Sequence, residues 1–327
     1  MQNPYRRAAL LVFLSAVVLA PVGAELAGRV MAERFLHPRR IPLGPRQIAN
    51  ANAHFARVHA RQEDFTVRAA DGALLRGWKV RPQPNDVPAR EGAGDWVLLL
   101  HGSSDNRAGM SAHAEMLLRH GYNVLMMDSR AQGESEGRMV TYGWQERYDV
   151  QAIVKMLRAK EMPHCIFALG ESMGAVIALL SGGIEARIDG VVAESAFQNL
   201  REVSYDYSGL RISPLLGRTL FRPVAITGIR AMEKEGGFRA ADISPESAVA
   251  ARAFPVLLIC GLRDRNIPPR HSQAIYDAAT GSKELWLVPR TGHTQALWAA
   301  PQEFEMRVIS FFQGIHNARP AHSRNVE

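Results

Sequence analysis

Short apolar runs alternate with segments of helical periodicity along most of the chain. Continuous apolar runs occur at Trp96–Leu100 and in the segments YNVLMMD, CIFALGE, GVVAES, FPVLLICG and KELWLVP. Most of them precede a segment whose apolar residues recur at helical spacing, including residues 111–120, 145–159 and 301–314. Strands that are apolar on both faces and alternate with helices predict a mostly parallel sheet flanked by helices on both sides, which is an α/β fold.

Two segments depart from this alternation. DFTVRAADGALLRGWKVRP contains two alternating runs around Asp71-Gly72, which predicts an antiparallel hairpin at the start of the sheet. Residues 197–250 are too long for an ordinary connection in a compact domain, and their apolar residues lie among charges and turn residues. We interpret them as a small helical lid over the strand ends. An excursion that packs on the side of the core is the alternative.

The N-terminus carries a separate apolar run. Residues 8–24, AALLVFLSAVVLAPVGA, contain no charge and follow Arg6 and Arg7, which is typical of an export signal or a single membrane anchor. We favour the anchor; a signal cleaved after Ala24 and a buried core helix are the alternatives. Residues 1–46 are thus expected to form an anchor or signal segment with a basic connector, and residues 47–327 the globular domain.

Two features of the sequence favour opposite orientations of such an anchor. More arginines follow the apolar run than precede it, which by charge counting favours a cytoplasmic domain. The short basic start followed by an apolar stretch favours export. We predict a membrane-associated protein whose globular domain lies on the exported side, periplasmic or extracellular.

The distribution of charge along the chain indicates which classes of binding partner to expect. The chain has 327 residues and a net charge of +7, and residues 1–46 hold seven arginines against Glu25 and Glu33, which accounts for five of the seven charges. The rest of the chain is nearly balanced and shows no basic stripe, so nucleic acid is not an expected partner. The basic segment suits anionic lipid headgroups.

Cysteines and histidines give no sign of a metal centre. Cys165 and Cys260 border strand-like runs, and we interpret them as small buried hydrophobes rather than as a disulfide. The eleven histidines include no HExxH motif and no Cys/His cluster with zinc spacing. The sequence therefore predicts no metal site and no external cofactor.

One serine stands at a strand-to-helix corner. FALGESMGAVIAL places Ser172 between two glycines where a strand pattern ends and a helix pattern begins, which is the context of a nucleophile elbow. A tight turn that needs only small residues is the alternative. The backbone N–H of Met173, at the helix start, and that of Ser103, in the loop LLLHGSSDNR, are the candidate donors to an oxyanion. His101 in that loop is interpreted as a residue that holds the loop in shape.

An acid and a base follow the serine in chain order. Asp264 comes just after the strand of LLICGLRDRNIP, and His293 just after the strand of LWLVPRTGHT. A solvated charge cluster for Asp264 and a loop-capping role for His293 are the alternatives. The order of loop, elbow, acid and base, each directly after a strand, favours a nucleophilic site.

With HGSSDNR, DSRAQGESEG, GESMG and GLRDRNIP, the chain resembles α/β-hydrolases over roughly residues 62–314. It is similar to the serine-hydrolase branch that includes membrane-anchored α/β-hydrolase-domain proteins and the S33-type serine aminopeptidase-like group. The resemblance implies Ser172 as nucleophile, Asp264 as acid, His293 as base, and an oxyanion hole at Ser103 and Met173. Asp128 and Arg130 of DSRAQGESEG are interpreted as structural, with Asp128 as triad acid the alternative.

These observations predict a serine hydrolase that acts on an ester or related acyl bond. An apolar lid and an anchor favour a small hydrophobic or lipid-like acyl substrate. A peptidase or amidase with the same triad, and a non-catalytic binding module on the same fold, are the alternatives.

Overall fold

The computed structural model describes residues 4–83, 94–209 and 212–319, without the side chains of residues 4–19 and 214. The helices are α1 (Pro4–Leu36), α2 (Pro45–Arg57), α3 (Ser111–Arg119), α4 (Glu146–Glu161), α5 (Met173–Ile184), α6 (Leu200–Ser208), α7 (Pro214–Arg218), α8 (Arg222–Gly236), α9 (Pro245–Ala251), α10 (Arg270–Ala278), α11 (Ala296–Ala299) and α12 (Pro301–Ala318). Short 3-10 helices occur at Arg107–Met110 and Ala240–Asp242. The strands are β1 (Arg61–Arg68), β2 (Leu74–Arg81), β3 (Trp96–Leu100), β4 (Asn123–Met127), β5 (Ile166–Glu171), β6 (Gly190–Glu194), β7 (Val256–Gly261) and β8 (Lys283–Val288).

One eight-stranded sheet has the order β1-β2-β4-β3-β5-β6-β7-β8. The β1–β2 and β2–β4 pairs are antiparallel and the others are parallel, so the predicted hairpin and the mostly parallel sheet are confirmed. From β3 the chain adds β4 on one side and β5 on the other. A ligand crevice forms at such a switch point, because the loops after the two strands diverge there.

Helices cover both faces of the sheet, which explains the unbroken apolar strands. Leu98 and Leu100 of β3 belong to a core shared with α4 and α5, whereas Val97 and Leu99 face a second core shared with α2, α3 and α12. Successive side chains of a strand point to opposite faces, so a strand covered on both sides needs an apolar residue at every position.

The second half of α1 packs on the domain. Phe35 and Leu36 are buried in the first core, and the Phe35 ring stacks on Tyr142 with centroids 3.9 Å apart. Farther up the helix, Thr227 of α8 donates its hydroxyl hydrogen to the carbonyl oxygen of Ala24, at 2.8 Å. The segment predicted as anchor and connector therefore shares one core with the sheet and contacts the helices that follow β6.

The membrane prediction concerns the first half of α1. The predicted anchor, residues 8–24, falls mostly on positions whose side chains lie outside the described residues. Within the part of the chain that was described, none of the helices combines the length and the apolar character that crossing a bilayer requires.

Helices α6 to α9 fill the predicted lid segment. Tyr207, Ser208 and Val224, from α6 and α8, line a cavity at the carboxyl ends of the strands. Helix α9 instead packs on α5 and α10, at the side of the core. The segment thus divides into a part at the strand ends, α6 to α8, and a part that belongs to the helical layer.

Candidate active site

The turn between β5 and α5 presents Ser172 in a strained conformation. Its backbone angles are φ 52° and ψ −111°, a region that residues other than glycine rarely occupy. Gly174 makes the turn possible: a Cβ there would lie 2.0 Å from the carbonyl oxygen of Leu100. The Ser172 N–H also donates to the Glu194 carbonyl at 2.8 Å, which ties the elbow to β6.

Asp264 and His293 reach Ser172 from the loops after β7 and β8. His293 Nε2 lies 2.9 Å from Ser172 Oγ, and His293 Nδ1 lies 2.8 Å from Asp264 Oδ2. A neutral His293 with its proton on Nδ1 donates to the carboxylate and accepts the serine proton. The other carboxylate oxygen, Oδ1, accepts the N–H groups of Asn266 and Ile267, both at 2.9 Å. These two amides hold the carboxylate in one orientation.

The loop after β3 passes beside the elbow. A Cβ on Gly102 would lie 3.7 Å from Ser172 Cβ, so the following residue, Ser103, is next to the serine. Among the described residues, no backbone acceptor takes the N–H of Ser103 or Met173. Tyr142, which the sequence analysis does not single out, has its hydroxyl 3.4 Å from Ser103 Oγ.

His101 is occupied by backbone groups. Its Nε2 accepts the Ser129 N–H at 3.0 Å, and its Nδ1 lies 2.7 Å from the Gly102 carbonyl oxygen, to which it donates. The ring is completely buried. Both nitrogens are used to link the loop after β3 to the loop after β4, which is a structural arrangement.

The turn DSRAQGESEG is held by charged hydrogen bonds away from His293. Asp128 accepts the N–H groups of Arg107 and Glu134 at 2.7 and 2.8 Å and also binds the Arg107 guanidinium. Arg130 binds both carboxylate oxygens of Asp149, at 2.7 and 2.6 Å. The structure thus places Asp128 in a buried ion pair, with no contact to the candidate base.

A cavity of about 960 Å³ opens above Ser172. Ser172 and His293 line this cavity at the strand ends. Apolar side chains of α1, among them Val30, Met31 and Phe35, form another part of its wall. The contribution of α1 is the main feature of the site that the sequence analysis misses. These residues lie beyond the apolar run of residues 8–24, in the segment expected to be a basic connector, and nothing in its pattern indicates that it lines the site.

Three ionisable side chains meet beneath the elbow. Glu171 and Glu194 are register partners at the ends of β5 and β6, and His113 of α3 approaches Glu171 with Nε2 and Oε1 3.4 Å apart. Burial, with the neighbouring Glu194, raises the pKa of Glu171 well above its usual value, and burial raises the pKa of Glu194 to about 7. Burial lowers the pKa of His113 to about 4. Neither His113 nor Glu194 carries a motif that the sequence analysis could have recognised.

A serine elbow in a mostly parallel eight-stranded sheet is the arrangement of α/β-hydrolases. Residues 93–221 match the family described as serine aminopeptidase, S33. The chain belongs to the α/β-hydrolase superfamily, and the protein is a hydrolase.

Known proteins resemble the chain over most of its length. The uncharacterized protein YqkD of Bacillus subtilis is 27% identical over 258 residues, which are 78% of this chain and 80% of YqkD. The alpha/beta hydrolase domain-containing protein WAV2 of Arabidopsis thaliana is 25% identical over 228 residues, 68% of each chain. The structure of the Pyrococcus furiosus esterase Pf2001 superimposes with a TM-score of 0.66 at 25% identity, over 86% of this chain and 98% of the esterase.

Proposed function

We propose that the protein is a serine esterase that cleaves the acyl bond of a hydrophobic or lipid-like substrate. Ser172 is the nucleophile, His293 the general base and Asp264 the residue that orients the base. The observation that carries the proposal is the hydrogen-bonded chain from Asp264 through His293 to Ser172, with contacts of 2.8 and 2.9 Å. Each member follows a different strand, so the sheet itself sets their separation.

The reaction follows from these contacts. His293 Nε2 takes the hydroxyl proton as Ser172 Oγ attacks the carbonyl carbon, and the N–H groups of Ser103 and Met173 stabilise the oxyanion. Asp264 stabilises the imidazolium that forms. The imidazolium then protonates the leaving alkoxide. The alcohol departs, and the acyl group remains bound to Ser172 Oγ. Water attacks this acyl-serine ester by the same route, which releases the carboxylic acid and regenerates the serine, so no external cofactor is required.

The cavity supports an apolar acyl group. Val30, Met31 and Phe35 of α1 and Val224 of α8 line the same cavity as Ser172. Burial of each methylene of an acyl chain against such a wall contributes about 0.8 kcal/mol. The similarity to the Pyrococcus furiosus esterase Pf2001 also favours an ester substrate.

Membrane association is part of the proposal. Val22, Leu26 and Val30 are exposed and spaced four residues apart, so they form one apolar side of α1 that ends at the cavity. Arg29 and Arg34 belong to the same helix, and basic side chains there suit anionic headgroups. We place the catalytic domain on the exported side. Membrane fractionation, followed by protease treatment of intact and of lysed spheroplasts, tests both points; a domain cleaved only after the spheroplasts are lysed contradicts the exported orientation.

A peptidase or amidase is the second candidate. The match to the serine aminopeptidase family favours it, and the carboxyl group of Asp105 lines the cavity, where it is able to receive a substrate ammonium. A non-catalytic binding module is disfavoured because the three side chains are in hydrogen-bond contact, a geometry that binding alone does not require.

Labelling with a fluorophosphonate probe tests the nucleophile. Wild type is expected to label, Ser172→Ala to lose the label, and His293→Ala and Asp264→Ala to label far more slowly. Ser103→Ala is the matched control: it removes a second hydroxyl of the same cavity but keeps the backbone N–H, so its labelling is expected to persist. A folded wild type that stays unlabelled moves the binding module to first place.

Substrate profiling separates the two enzymatic candidates. We expect kcat/KM for p-nitrophenyl esters to rise from acetate to medium-chain acids and to exceed that for aminoacyl p-nitroanilides. Faster turnover of the anilides, with a loss on Asp105→Asn, identifies a peptidase instead.

A further inference from the structure

Glu171, Glu194 and His113 form a buried group that the proposed reaction does not use. One ligand atom from each of the three side chains lies within 4.8 Å of the others. His113 Nε2 and Glu171 Oε1 are 3.4 Å apart. Two ligands on one tetrahedral metal ion are separated by about 3.4 Å when the metal–ligand bonds are about 2.1 Å. His113 Nε2 and Glu171 Oε1 already have this separation. The Glu194 carboxylate, which lies within 4.8 Å of both, needs only a small movement to reach it.

Three polar atoms of this group lack hydrogen-bond partners among the described residues. Both ring nitrogens of His113 are buried without a hydrogen bond, and the side chain is 3% exposed. Glu194 Oε2 is also buried without a partner, while its Oε1 accepts the Ala296 N–H at 2.9 Å. A buried polar atom without a partner is costly, and a metal ion satisfies an imidazole nitrogen and a carboxylate oxygen together. The Ala296 amide orients the Glu194 carboxylate as an outer partner.

Other buried carboxylates of the domain are paired differently. Arginines bind several of them directly, as in the pairs Asp128–Arg107, Asp149–Arg130 and Asp206–Arg270. Among the described residues, neither Glu171 nor Glu194 has an arginine or lysine in ion-pair contact. Asp264 adds a further negative charge next to Glu194. The carboxyl groups of Glu171 and Glu194 therefore lie side by side without a cationic side chain from the described part of the chain between them.

We infer that His113, Glu171 and Glu194 form a binding site for one divalent transition-metal ion, with Zn²⁺ as the representative, beneath the nucleophile elbow. One imidazole and two carboxylates are a donor set that Zn²⁺ accepts. Three protein ligands leave a fourth position for water. Glu171 also lines the cavity, so an ion has a path from solvent to the site.

The position of the site gives the ion a structural role. Glu171 directly precedes Ser172, and the Glu194 carbonyl holds the Ser172 N–H. A metal that links these two glutamates to α3 fixes the ends of β5 and β6, and with them the strained turn.

Metal binding to the purified full-length chain tests the site. After dialysis against EDTA, the protein is titrated with ZnCl₂ by calorimetry and with CoCl₂ by absorption of the bound cobalt. We expect one ion per chain for wild type and at least tenfold weaker binding for His113→Gln and for Glu194→Gln. Wild type that binds neither ion at micromolar concentration overturns the inference, and the two carboxylates then share a proton instead.

Two other groups supply matched controls. His164, Cys165 and His316 cluster at the amino ends of the strands, and Glu33, His37 and Glu235 between α1 and α8. His316→Gln and His37→Gln are expected to leave binding unchanged; loss of the ion in either variant, with retention in His113→Gln, overturns the inference. Wild type with Co²⁺ gives a check that needs no variant: a thiolate-to-cobalt charge-transfer band assigns the ion to Cys165 and contradicts our site.

Discussion

Gly28 of α1 lies directly against Thr227 of α8. A Cβ on Gly28 would be 2.1 Å from Thr227 Oγ1 and 2.6 Å from the Gly228 backbone nitrogen. The Thr227 hydroxyl is already used, since it donates to the Ala24 carbonyl at 2.8 Å. The two helices therefore approach each other to backbone contact, and this contact sets the position of the α1 residues that line the cavity.

Replacement of Gly28 by leucine is expected to separate α1 from α8. The side chain overlaps the α8 backbone, so we expect a destabilisation of about 1–3 kcal/mol and a raised KM for long-chain esters. Chemical denaturation and ester kinetics measure the two effects. Gly23→Leu, on the same helix, is the control, because no atom of the described residues lies within 4 Å of its Cβ position. Equal effects of the two substitutions would falsify the contact.

Gly174→Ala is expected to damage the elbow. Its Cβ would lie 2.0 Å from the Leu100 carbonyl oxygen and 2.8 Å from that of His101, and both are backbone atoms that cannot rotate away. We expect a loss of stability of about 3 kcal/mol and little labelling by a fluorophosphonate.

Gly314→Ala is the counterpart for this substitution. Gly314 lies in α12 and is exposed, and its Cβ position has no atom within 4 Å in the part of the chain that the structure describes. Alanine there is expected to stabilise the protein by about 0.5–1 kcal/mol, since it lowers the backbone entropy lost in a helix. Denaturation midpoints that fall for both variants alike contradict the assignment of the Gly174 effect to the elbow.

Asp264→Asn is expected to reduce turnover with little change in fold. An amide at this position is able to donate a hydrogen bond to His293 Nδ1 and so favours the tautomer with its proton on Nε2, which cannot accept the serine proton. We expect kcat to fall by about 10³- to 10⁴-fold with a nearly constant KM. Steady-state ester kinetics measure this. A fall of less than tenfold argues that another group orients His293.

The two cysteines are expected to resist alkylation in the native protein. Both are buried and free, as the sequence analysis expects. Burial raises the pKa of each thiol to about 12, so each stays a neutral thiol near pH 8, where only the thiolate reacts. Intact-mass measurement after iodoacetamide should find no adduct on native protein and two on protein unfolded in guanidinium. An adduct on the native protein shows that one thiol is accessible.

The sequence predicts the sheet well because parallel strands covered on both faces must be apolar at every position. The run Trp96–Leu100 is an example. The antiparallel hairpin around Asp71-Gly72 is predicted instead from its alternating pattern on either side of a turn. The sequence also predicts that Ser172, Asp264 and His293 lie close together, because each follows a strand and the carboxyl ends of parallel strands meet at one edge of a sheet. The structure brings these three side chains into contact.

Tertiary contacts decided the cavity wall and the buried cluster of His113, Glu171 and Glu194. Hydropathy identifies the apolar run of residues 8–24, but it gives no sign that the chain beyond this run packs on the domain; the stacking of Phe35 on Tyr142 is a tertiary contact. The same is true of His113, Glu171 and Glu194, which come from α3, β5 and β6 and share no spacing that a motif could encode. Local periodicity and the order of motifs therefore determined the fold and the candidate residues, whereas the cavity wall and the buried cluster depended on contacts between segments far apart in sequence.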